Sequence, residues 1–181
     1  MRTLEGFRHI YCVDFEFSAP PGERPRPICL VATEYRSGVT MRLWEDDLRQ
    51  RRQVPYPTTS DCLFVGYYAS AEIGCHLALD WPVPLSVLDL YGAFRNQTNG
   101  LWTPCGAGLV GALTYYGLDS MAAAEKDDMR QLAPSEVGRG QRRSVKRCST
   151  TARATLRRSL GYWTLWHPRS TLNGSCFAVD I

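Results

Sequence analysis

The sequence predicts an α/β domain built on a mixed β-sheet flanked by helices. Three observations carry that reading. Residues 9–44 hold three short apolar or alternating runs separated by loops and turns, the pattern of an antiparallel meander. From residue 62 onward, strand-like and helix-like runs alternate, which predicts strand–helix units. The chain has 181 residues, 44% hydrophobic and 22% charged, ordinary for one globular domain with its own core.

The elements run in order along the chain. His9–Phe17 is a buried strand that carries Asp14 and Glu16. Residues 18–27 hold four prolines and a glycine and form a loop. Ile28–Tyr35 is a second strand, Arg36-Ser37-Gly38 a turn, and Val39–Trp44 an alternating third strand. Glu45–Gln53 is polar, and Pro55 and Pro57 break the chain. Cys62–Tyr68 is a fourth strand. Ala69–Leu79 is a helix with Ala69, Ile73, Leu77 and Ala78 on its apolar face, ended by Pro82 and Pro84. Ser86–Leu90 is a fifth strand. Gly106–Gly108 opens a helix over Leu109–Tyr116 that Gly117 stops, and Met121–Leu132 forms a further helix with its charges outside.

No apolar run reaches the roughly 18 residues that span a bilayer, so no membrane partner is expected. The first residues lack an apolar signal core, which points to the cytoplasm. The seven cysteines are scattered without a C-x-x-C pair and support neither a zinc site nor a redox motif. The net charge of +3 hides an asymmetry. Residues 134–181 hold nine Lys and Arg against two acids, a net +7, whereas 1–133 carry −4. The chain therefore divides into a domain over 1–133 and a basic tail over 134–181.

Asp14 and Glu16 are two positions apart on one strand, so they share a face, opposite Val13, Phe15 and Phe17. Like charges repel, and burial disfavours their ionisation. A divalent cation removes that cost. Mg²⁺ takes one or two carboxylates, keeps several waters and pairs with phosphate. The rival reading of the same pair is an edge strand with a solvated polar face.

Three motifs stand in order. They are Val13-Asp14-Phe15-Glu16-Phe17, Phe64-Val65-Gly66-Tyr67-Tyr68-Ala69-Ser70-Ala71-Glu72, and Val87-Leu88-Asp89-Leu90-Tyr91-Gly92-Ala93-Phe94-Arg95-Asn96. Together they resemble the DEDD-type 3′–5′ exonuclease region, of the RNase H-like superfamily, found in bacterial and phage DNA polymerase I-like proteins. The resemblance covers about residues 8–133. It implies two-metal phosphodiester hydrolysis with Mg²⁺ or Mn²⁺, acting on the single-stranded 3′ end of DNA. Asp14 would bridge both ions and Glu16 would hold the first. Glu72 matches the second motif by position, although that motif usually ends in Asp. Its other reading is a solvated acid in the first turn of a helix. Asp89 is either a further acid near the site or a plain strand-end acid. His76, one turn after Glu72, is either the second half of a metal pair or, the favoured reading, a helix-surface histidine. Tyr67, Tyr68 and Tyr91 either stack on bases or pack in the core. Arg95 and Asn96 are candidate phosphate contacts.

The family also uses a fourth acid, in a Tyr-x-x-x-Asp spacing on a C-terminal helix, and nothing after residue 133 has it. A frame moved by one base takes the last base of one codon and the first two of the next. Across Cys148–Leu156 the codons so permitted yield Leu-Asp-Tyr-Cys-Glu-Gly-Asp-Val, which contains the absent spacing. The same shift over Tyr162–Ile181 permits an amphipathic helical sequence of ordinary charge. The expectation is a frameshift near residue 133 and an exonuclease domain impaired by it; whether a polymerase domain is encoded downstream in another frame stays open. Two alternatives stay open: an inactive module that binds nucleic acid through its basic tail, and a non-functional gene remnant.

Overall fold

The computed structural model describes residues 3–103 and 105–117. They fall in two compact units, residues 3–93 and residues 94–117. The helix expected over Met121–Leu132, the basic tail and the proposed frame junction lie outside the described residues.

The first unit begins with a short 3-10 turn, Leu4–Gly6, and is built on a five-stranded mixed sheet. Its strands are β1 (His9–Ser18), β2 (Arg26–Glu34), β3 (Thr40–Trp44), β4 (Cys62–Gly66) and β5 (Val87–Asp89), in the order β3-β2-β1-β4-β5. β1, β2 and β3 form the expected antiparallel meander, and β4 and β5 run parallel to β1. β1 is thus the central strand.

Alternation along β1 sorts its side chains as its sequence requires. Val13 and Phe15 are fully buried in the main core, with Tyr11 and Phe17 packed against it. Leu30 and Ala32 of β2 and Phe64 of β4 extend that core, and Ala69, Cys75, Leu48, Tyr56 and Trp81 complete it from helices and loops. Each large apolar side chain so buried contributes about 1.5–3 kcal/mol. The opposite face of β1 starts apolar, with Ile10 and Cys12 buried, and ends with half-buried Asp14 and Glu16.

Helix α1 (Glu45–Gln50) occupies the stretch that reads only as polar. A single apolar residue anchors it: Leu48 is 1% exposed. Its first-turn acids suit a helix N-terminus, and the Glu45 carboxylate pairs with Arg26 and Arg49 at 2.7 and 2.6 Å. Helix α2 (Ala69–Ala78) lies where the sequence places it, but it is turned about its axis. Its buried residues are Ala69, Glu72, Ile73, Cys75 and His76, whereas Leu77, expected on the apolar face, is exposed. β5 is two residues shorter than expected, because Leu90 already begins helix α3 (Leu90–Gln97).

In the second unit, helix α4 (Leu109–Tyr115) follows Gly108 and ends before Gly117, which has a positive φ of 66°. Phe94 is buried there and meets the Tyr115 and Tyr116 rings edge-on, at 5.5 and 5.8 Å.

Candidate metal and nucleotide site

The site grows out of the C-terminal half of β1. Across the meander, Asp14 lies opposite Val31 and Glu16 opposite Cys29. Immediately after Glu16 the register with β2 slips, and Phe17 faces Pro27. The extra residue, Ile28, lies on β2, and such an irregularity bends the strand that carries it. On the other edge of β1, the ladder with β4 ends at Cys12 and Val65. Beyond that point the β1 backbone needs another partner.

Glu72 supplies it. The Glu72 Oε2 accepts the Phe15 N–H at 2.7 Å, although 57 residues separate the two. Glu72 is only 5% exposed, so it is not a solvated first-turn acid. Gly66, at the end of β4, eases the approach: a Cβ there would lie 3.3 Å from the Glu72 Cγ and 3.3 Å from the Ala69 Cα, a tight contact on both. The three acids of the first two motifs therefore converge on one segment of β1, with Glu72 bonded to the peptide between Asp14 and Phe15.

Asp89 takes a different part. Its Oδ1 accepts the N–H groups of Tyr91 at 2.9 Å and Gly92 at 3.3 Å, as a helix N-cap does for α3. The same oxygen accepts the Tyr68 N–H at 3.2 Å. Asp89 is thus a strand-end acid that ties the turn after β4 to the start of α3. That turn holds Tyr68 in a left-handed conformation, φ 76° and ψ 54°, which a non-glycine residue adopts at a cost of about 1–3 kcal/mol. Tyr68 is 53% exposed and meets the Tyr91 ring edge-on at 5.1 Å, and Tyr67 meets the same ring at 6.1 Å.

His76 is not a surface histidine. It is fully buried and ringed by Phe15, Phe64, Tyr56 and Trp81, with centroids 5.6–6.0 Å away. Its Nδ1 lies 2.9 Å from the Pro82 carbonyl and its Nε2 2.7 Å from the Tyr56 hydroxyl. A carbonyl only accepts, so Nδ1 carries the proton and Nε2 accepts from Tyr56. Both ring nitrogens serve the core, and His76 is no partner for Glu72 in binding a metal.

Arg95 and Asn96 are exposed on α3 in the second unit. Asp14, Glu16, Glu72, Tyr67, Tyr68 and Asp89 all belong to the first. Among the described residues no group of three or more His, Cys, Asp or Glu is arranged to hold a metal ion. Asp14 and Glu16 remain as two half-buried acids on one face of β1, and an ion such as Mg²⁺ takes few protein oxygens and completes its shell with water.

No family model matches this chain, and no curated protein or solved structure does either.

Nothing in the sequence singles out Tyr56 as the partner of His76, or Gly66 as the space for Glu72. Both contacts join residues distant in the chain, and no local pattern records them. Burial pushes the Cys62 thiol up to about 12, with the Asp61 charge adding to it, and also raises Cys75. These buried thiols are packing residues rather than nucleophiles. No helix among the described residues is long and apolar enough to cross a membrane.

Proposed function

We propose that the chain carries most of an RNase H-like 3′–5′ exonuclease site, acting on the single-stranded 3′ end of DNA with Mg²⁺ or Mn²⁺. The observation that supports this best is the pair Asp14 and Glu16, half-buried on one face of the central strand with Glu72 docked on the peptide beside them. A mixed sheet with the meander on one side of β1 and parallel strands on the other is compatible with that fold.

In this reading Asp14 and Glu16 hold the metal through their carboxylate oxygens. A bound ion would stabilise the charge that develops on the phosphate during in-line displacement. The exposed Tyr68 ring, braced by Tyr91, offers a stacking surface for a base near the 3′ end. Arg95 and Asn96, on the second unit, are candidate phosphate contacts of that unit. The fourth acid and the water-positioning tyrosine are not encoded in this frame after residue 133, so the activity of the chain is impaired. A polymerase domain encoded downstream would be the partner.

Titrating Mn²⁺ calorimetrically into the full chain and into Asp14→Ala tests the metal pair. The expected result is binding by the former and none by the latter. Equal binding by both would remove Asp14 from the site. A second reading, nucleic-acid binding through the basic tail, draws on the +7 of residues 134–181. It predicts DNA affinity that falls steeply with salt and disappears when the tail is deleted.

A further inference from the structure

We infer that Glu72 is a positioning residue that acts through the β1 backbone, not a metal ligand. The inference rests on the reading of Asp14 and Glu16 as the metal pair. β1 loses its β4 partner after Cys12, yet the two acids come later, at positions 14 and 16. β2 still pairs the other edge of β1 here, so without a partner on the β4 side this stretch would be held from one edge only. Movement of the strand about that single ladder would shift both carboxylates, and ion affinity depends on their placement.

Glu72 prevents this with a 2.7 Å bond from the Phe15 N–H to its Oε2. A charged acceptor makes that bond stronger than a neutral one. From α2, the two-methylene stem of Glu72 carries the carboxylate to the strand backbone. The stem passes over Gly66, whose missing Cβ leaves the space. The carboxylate end is buried among core residues, and Glu72, Asp14 and Glu16 do not form a three-carboxylate cage. A ligand would be aimed at the ion, whereas this oxygen is aimed at the backbone.

Two variants of the full chain separate the roles. Glu72→Gln keeps an oxygen that can accept the Phe15 N–H but is a poor metal ligand, and Glu72→Ala removes both. Amide hydrogen exchange at Phe15 reads the clamp directly, and Mn²⁺ calorimetry reads its effect on the pair. Positioning predicts that Glu72→Ala speeds Phe15 exchange and weakens Mn²⁺ binding, each by roughly ten- to a hundredfold. It also predicts that Glu72→Gln restores both to within about threefold of the parent chain. Slow exchange at Phe15 in both variants, together with loss of Mn²⁺ binding in both, would overturn the proposal and make Glu72 a ligand. If the exchange behaves as predicted but the parent chain binds no Mn²⁺, the clamp survives and the metal reading falls, taking with it the part assigned to Glu72 in metal binding. Should Glu72→Ala fail to fold, Glu72→Asp substitutes for it, because the shorter stem withdraws the carboxylate from the Phe15 N–H. Positioning then predicts faster Phe15 exchange with the carboxylate still present, and unchanged exchange would overturn it.

Discussion

At the scale of single residues, His76 carries a charge constraint into the middle of the core. Burial holds its pKa below the ordinary histidine value, against the smaller opposing effect of the Pro82 carbonyl. An unfolded chain takes up the proton near pH 6.5, and the folded chain resists it. The unfolded state therefore binds more protons as pH falls below about 6.5, and stability declines with it. Above that pH the imidazole is neutral in both states, and its contribution is fully present. Melting temperature measured from pH 8 to pH 5 should fall on the acid side, and His76→Gln should flatten that part of the profile. Tyr56→Phe leaves Nε2 buried without its donor and should cost about 1–3 kcal/mol at pH 8, read by urea unfolding. The sequence does not disclose this. A histidine four residues after a glutamate suggests a polar helix face, and only the tertiary contacts with Tyr56 and Pro82 reverse that.

Elements are legible where local pattern decides them and illegible where packing does. The strands of the meander, β4, α2 and α4 all stand within a few residues of their sequence-based bounds, because turn residues and apolar runs mark them. The rotation of α2 is not legible, because its buried stripe includes Glu72 and His76. Apolar periodicity skips both and settles on Leu77 instead. α1 gives no signal because one leucine in a polar segment has no period, and α3 gives none because the apolar run of β5 continues into it without a break. Asp89 marks that junction. Since its Oδ1 caps α3 and also holds the Tyr68 turn, Asp89→Ala should destabilise the chain by about 0.5–2 kcal/mol. Asp89→Asn keeps the acceptor oxygen and should restore most of that stability, with Mn²⁺ binding unchanged in calorimetry. Lost Mn²⁺ binding in Asp89→Asn would make Asp89 a metal ligand instead.

For the whole molecule, the α/β class comes from the order of the runs, and parity along β1 alone puts Asp14 and Glu16 on one face. The docking of Glu72 on Phe15 depends on how α2 lies against the sheet, which no motif spacing encodes. On the proposed exonuclease reading, activity turns on the segment after residue 133. A two-metal site needs both ions fixed, and Asp14 and Glu16 provide for only part of that. Under that reading, loss of a ligand and of the group that positions water would lower the rate by several powers of ten, each equivalent to about 1.4 kcal/mol of barrier. The most direct measurement is Mg²⁺-dependent shortening of a 5′-labelled single-stranded oligonucleotide. It compares the chain as encoded, the chain with the alternative frame restored after Leu132, and the restored chain carrying Asp14→Ala. The restored chain should shorten the DNA from its 3′ end, the encoded chain should do so far more slowly or not at all, and Asp14→Ala should abolish the restored activity. Equal rates for the encoded and restored chains would contradict the reading of this chain as an exonuclease deprived of its fourth acid.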